Sequence, residues 1–125
     1  MNPEDQIYQW ELRQRQIQAG VTPEGPPPPK SEVIRALTLR YLGALSQVIG
    51  IRNKVGRLVG YREGFTKSKL EEMARKHAKQ AYREGPSAFM RGFREDLQKD
   101  PQFAKAVVAG WPKEQPKEQP EEKQL

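Results

Sequence analysis

The chain has 125 residues, with 22 Lys and Arg against 16 Asp and Glu, a single histidine and no cysteine. That length allows one modest domain, and the missing thiols exclude a disulfide framework, thiol catalysis and cysteine metal sites. The positive charge is unevenly placed: Ser31 to Gly110 holds 16 Lys and Arg against 8 Asp and Glu, a net of +8, while each flank nets −1. A solvated basic face is one explanation, and a nucleic-acid or other polyanionic partner is the reading an excess of this size favours.

The first ten residues, MNPEDQIYQW, are acidic and Gln-rich without the apolar run of a secretory signal. Asn2, Pro3, Glu4 and Asp5 instead read as a helix start: a side-chain cap, proline in the first turn, and acids at the positive end of the helix dipole. A helix to about Gln18 is expected, with Ile7, Trp10 and Ile17 roughly on one side. So thin an apolar face cannot support itself. Residues 1–19 are therefore read as an arm lying on something else, a neighbouring subunit being the expected support. Residues 20–30 contain four consecutive prolines, an extended spacer of about 12 Å at about 3.1 Å per residue, which would let the arm reach away.

Ser31 and Glu32 are the expected cap of a central helix. From Val33 to Ile51, twelve of nineteen positions are apolar, and Ile34, Leu37, Tyr41, Leu45 and Val48 keep the three-or-four spacing of a helix stripe. A helix apolar around so much of its girth belongs in the middle of a bundle or at a shared interface. It does not read as a membrane span, because Arg35, Arg40 and Arg52 interrupt it. The next stretch, GIRNKVGRLVGYREG, spaces Gly56, Gly60 and Gly64 four apart. Either it continues as a helix with a bare row of backbone flanked by cations, or the glycines break it into loops.

Thr66 or Ser68 then opens a helix in which Leu70, Met73, Ala74, His77, Ala78 and Ala81 share a face. Lys69, Arg75, Lys76, Lys79 and Arg83 take the opposite side. Glu71 with Arg75 and Glu72 with Lys76 are expected i,i+4 pairs, leaving Lys69, Lys79 and Arg83 as free charge. Gly85 and Pro86 separate this helix from another that carries Phe89, Met90, Phe93 and Leu97 on one side, with Arg91 and Arg94 on the other. Asp100 and Pro101 cap a short last helix with Phe103, Ala104, Val107 and Val108 facing inward and Gly110 as its stop. Residues 112–125, a Pro-Lys-Glu-Gln repeat, have no apolar residue before Leu125 and read as a disordered tail. The expected fold class is all-α: a small basic helical bundle over residues 31–111, with an extended N-terminal helical arm and a Pro-rich tail.

Nothing in this pattern points to catalysis, a cofactor or a metal. His77 sits on the apolar side of its helix and reads as a packed, hydrogen-bonded histidine. Glu71 and Glu72 are adjacent and so point in different directions, which is wrong for paired acid and base work, and Glu95 with Asp96 repeats that geometry. No phosphate-cradling loop, nucleophile elbow or zinc-binding spacing is present, so no enzyme is expected.

The segment GPSAFMRGFREDLQKDPQFAKAVV resembles the closing helices of the major capsid proteins of rod-shaped and filamentous archaeal viruses. The likeness rests on Gly85-Pro86 before an apolar helix with Met90, Gly92 and Phe93, and on Asp100-Pro101-Gln102 opening a helix that ends Ala106-Val107-Val108. It covers about two dozen residues of the chain. The Gln-rich N-terminal helix and the repeat tail depart from the family pattern. What the resemblance implies is a virion structural protein: a small helical chain that forms a homodimer or pairs with a related capsid chain. It would wrap linear double-stranded DNA non-specifically, in the A form, and polymerise into a helical nucleocapsid, with a lipid envelope in some members.

The residues expected to meet phosphate are Arg52, Lys54, Arg57 and Arg62 from the glycine segment, Lys69, Arg75, Lys76, Lys79 and Arg83 from the next helix, then Arg91 and Arg94. Two other readings are carried beside this one. The first is a small dimeric chromatin-like or regulatory DNA-binding protein, and the second is an assembly adaptor whose basic face meets an acidic protein.

Overall fold

The computed structural model describes residues 2–111; the repeat tail falls outside them. Five α-helices run in order: α1 (Pro3–Gln18), α2 (Lys30–Ile49), α3 (Lys67–Glu84), α4 (Ser87–Lys99) and α5 (Pro101–Gly110). The all-α expectation holds, with one addition. Strands β1 (Gly50–Arg52) and β2 (Leu58–Tyr61) form a two-stranded antiparallel hairpin between α2 and α3, followed by a single 3-10 turn at Arg62–Gly64. No helix among the described residues is long and apolar enough to cross a membrane.

Several helix starts follow directly from short-range side-chain chemistry. Asn2 Oδ1 accepts from the Asp5 amide at 2.9 Å, Thr66 Oγ1 from the Lys69 amide at 3.2 Å, and Asp100 Oδ1 from the amides of Gln102 and Phe103 at 3.1 and 3.2 Å. Each satisfies backbone donors that the first helical turn leaves open. The expected Ser31 cap is not used. α2 begins two residues earlier than that cap implies, with Pro29 before it and no capping side chain, and the Val33 amide closes the first turn on the Pro29 carbonyl at 3.0 Å. The fixed φ of proline presets that start, so no side-chain cap is required.

The arm does not reach away. Ile7 is fully buried and Trp10 is 4 % exposed. Both lie in a cluster with Val33, Ala36, Leu37, Ala78, Ala81 and Ala88 of the same chain. Trp10 also stacks on Tyr82 with ring centroids 5.8 Å apart. The linker is tied back as well, since the Arg13 guanidinium donates to the carbonyls of Glu24 and Gly25 at 3.3 and 3.1 Å. Four alanines on α2, α3 and α4 supply the physical reason: without bulk beyond Cβ they leave a shallow seat that two large side chains of α1 can fill.

A second cluster gathers Leu42, Leu45, Ile49, Phe65, Leu70, Ala74, Phe103, Ala106 and Val107. Phe103 is its centre, edge-on to Phe65 at 6.1 Å and to Phe93 at 5.7 Å. α2 contributes to both clusters, which is why it is apolar on so many sides. Its buried positions are Val33, Ala36, Leu37, Thr38, Leu42, Leu45 and Ile49, whereas Ile34, Tyr41 and Val48 of the expected stripe are half-buried. Met90 and Val108, expected inside, are 53 % and 70 % exposed.

Candidate nucleic-acid interface

The glycine segment is neither the helix nor the open loop its spacing allowed. It is a hairpin with a defined tip. Asn53 Oδ1 accepts from the amides of Val55 and Arg57, both at 3.0 Å, while the Asn53 amide donates to the Arg57 carbonyl at 3.0 Å. Gly56 takes φ +85°, a left-handed conformation that disfavours a side chain. The Arg52 guanidinium then donates to the Gly56 carbonyl at 2.9 Å, bracing the tip from the opposite strand. Arg52, Lys54 and Arg57 all project from this hairpin into solvent. Arg62 does not join them: it is half-buried, and its Nε lies buried and unpartnered beside Gly110.

Along α3, Lys69, Lys76 and Arg83 are seven residues apart and fall on one line of the helix surface, with Arg75 and Lys79 beside it. All five are exposed. The expected pairs of Glu71 with Arg75 and Glu72 with Lys76 are not among the salt bridges formed by the described residues, as befits exposed i,i+4 pairs whose gain barely offsets side-chain entropy. The basic ridge is therefore less neutralised than its sequence suggested.

Clefts flank the ridge on both sides. Between α2 and α3 lies one of about 400 Å³ in which Arg35 joins Arg75 and Lys79 over Ile34 and Leu39, with Glu71 at its margin. Arg35 is not among the cations named from the sequence, although a signal for its place in this cleft existed. Arg35 and Leu39 stand one turn apart on α2, as Arg75 and Lys79 do on α3, and two such rows meet when helices pack antiparallel. Between α3 and α4 a cleft of about 240 Å³ is bordered by Lys76, Gln80, Arg91 and Glu95. Arg91 is engaged there, 2.5 Å from Glu84. Arg94 is exposed on α4, but it lines neither cleft.

Beneath this surface His77 is buried, its Nε2 2.8 Å from Asp96 Oδ2. The expectation of a packed, hydrogen-bonded histidine holds. Gly92 makes the packing possible, because a Cβ at that position would collide with the imidazole ring. Tyr41 stands edge-on to the same ring and stacks on Phe89. Burial, reinforced by the Asp96 charge, pushes the Tyr41 phenol well above its ordinary range. These groups hold α3 and α4 against α2, which fixes the ridge between its clefts. No protein-family model, characterised protein or solved structure matches this chain.

Proposed function

We propose that this protein coats linear double-stranded DNA without sequence preference and polymerises on it as the structural subunit of a helical nucleocapsid. The observation that carries the reading is the basic ridge of α3, whose five exposed lysines and arginines form no salt bridge among the described residues even though Glu71 and Glu72 stand on the same helix. Of the eleven cations named from the sequence, only Arg91 has a carboxylate partner among the described residues. Lys69 to Arg83 spans about 21 Å at about 1.5 Å per residue, close to the reach of about six phosphates along one strand. Point charges on flexible stems neutralise phosphates without reading bases, which suits a protein that must bind every stretch of a genome.

The subunit contacts of such a coat need another location than α1, whose anchors are used internally. Met90, Val108 and Trp111 are 53 %, 70 % and 51 % exposed on α4, α5 and the residue after it, and these are the surfaces assigned to assembly.

The test mixes full-length protein with random-sequence linear duplex at low salt, images the product by electron microscopy and records DNA circular dichroism above about 250 nm. Regular filaments are expected, with an A-like DNA signal. If about five phosphates are contacted per chain, the log-log salt slope of binding is near −4.5. Discrete small complexes on B-form DNA would replace the coat with a dimeric chromatin-like protein. Absence of duplex binding would leave an adaptor for acidic proteins.

A further inference from the structure

The hairpin carries more than charge. Val55 at its tip is 85 % exposed, Val59 is 60 % exposed and Ile51 is 39 % exposed, so three branched aliphatic side chains stand in water beside Arg52, Lys54 and Arg57. Between Gly50 and Tyr61 there is no carboxylate. The base is anchored, with Tyr61 packed on the Phe103 cluster, and the tip is braced by Asn53 and Arg52. A rigid, cationic, aliphatic projection complements a polyanion that also offers apolar surface. A second copy of the hairpin is excluded as occupant, because it would bring like charge against like.

We propose that the hairpin tip enters the minor groove of the duplex, with Lys54 and Arg57 on the phosphates of its two walls and Val55 against the sugar edges between them. This inference rests on the duplex-coating reading. The choice of groove follows from chemistry. In the major groove an aliphatic side chain finds the thymine methyl and little else, so Val55 would impose sequence preference there, whereas the minor groove offers sugar C–H at every step and a degenerate pattern of base edges. Arg52 gives one guanidinium N–H to the Gly56 carbonyl, which holds its side chain against the tip.

Width adds a condition. Two strands lie about 4.8 Å apart before side chains are counted, and the B-form minor groove is only about 6 Å wide. The A-form groove is wide and shallow. Entry of this tip therefore favours a duplex whose minor groove is opened, a structural reason for a coat to hold its DNA away from the B form.

Dimethyl sulfate tests the assignment, since it methylates guanine N7 in the major groove and adenine N3 in the minor. Full-length protein on linear duplex is expected to protect adenine N3 and leave guanine N7 open. Val55→Asp, at a position that packs on nothing in the chain, removes the N3 protection while the helical dichroism is unchanged. The double variant Lys54→Gln, Arg57→Gln lowers the salt slope by about 1.8. Lys79→Gln on the α3 ridge weakens binding yet keeps the N3 protection. Protection of guanine N7, or N3 protection that survives Val55→Asp, would overturn the groove assignment and leave duplex coating in place. So would unprotected N3 on a bound duplex together with binding to phosphatidylglycerol vesicles that Val55→Asp abolishes, which would reassign the tip to an anionic lipid surface. If the wild-type protein binds no duplex, the coating reading falls and this inference with it.

Discussion

α2 runs through two cores of opposite character. Its C-terminal half joins a cluster built on Phe65, Phe103, Leu42, Leu45, Ile49 and Leu70, in which large side chains from three helices and the linker before α3 meet. Its N-terminal half joins one in which Ala36, Ala78, Ala81 and Ala88 bring helix backbones close, and Ile7 and Trp10 of α1 fill the remaining space. The first core holds itself together around a central aromatic. The second is a socket whose plug comes from the other end of the chain. The basic ridge of α3 lies over both, so its straightness depends on each core keeping its own kind of packing.

The largest expected effect is in the aromatic core. Phe103 is fully buried and touches rings from two directions, so Phe103→Ala should cost about 4 kcal/mol, measured by urea unfolding. A loss under about 1 kcal/mol would mean that the site collapses freely, and the contrast with the socket would disappear.

Ile7→Ala comes next, with an expected loss of about 3 kcal/mol for a fully buried isoleucine. Its value lies in the concentration dependence. Because Ile7 packs on its own chain, the loss should be the same over a hundredfold range of protein concentration. A loss that grows on dilution would restore α1 to a neighbouring subunit.

Gly92→Ala probes the seam between the cores, where the His77 ring lies directly against the Gly92 backbone. Overpacking there should cost about 2 kcal/mol, and the Asp96 contact should loosen as the ring moves. The nuclear magnetic resonance signal of the single histidine reports this directly. An unchanged His77 signal in Gly92→Ala would show that the ring does not pack against the Gly92 backbone.

These outcomes bear on what was legible in the sequence. Asn2 and Asp100 were readable as caps, and Thr66 as one of two with Ser68, because a cap is settled within three residues of chain; Ser31 failed because Pro29 starts α2 before it. The inward face of α3 was readable because Leu70, Ala74, His77, Ala78 and Ala81 keep helical spacing, and all five are buried. The seat of α1 was not, since the information sits in what Ala36, Ala78, Ala81 and Ala88 lack, and small residues advertise no partner. The hairpin was missed because Gly56, Gly60 and Gly64 mimic a helical row. The competing signal was Asn53 followed three residues later by Gly56, between the β-branched Ile51 and Val59. On the ridge, the positions of the cations were legible but not their freedom: i,i+4 spacing permits an ion pair without requiring it.

The smallest expected effect separates two ways in which α1 could be held. Besides its apolar anchors, α1 meets α2 through Glu4 and Arg40, 2.7 Å apart. The Arg40 hydrogen bond and charge hold the Glu4 carboxyl below its ordinary range. A carboxyl lowered by folding stabilises the protein above its unfolded pKa, and that contribution is lost as pH falls through the folded value. Both side chains are largely in water, where an ion pair is worth little. Arg40→Ala should therefore raise the Glu4 titration midpoint, read by nuclear magnetic resonance, and should move the neutral-pH unfolding midpoint far less than Ile7→Ala does. In acid, below the folded pKa of Glu4, variant and wild type should converge. A loss in Arg40→Ala as large as that of Ile7→Ala would make the ion pair, not the alanine socket, what fastens α1 to the domain.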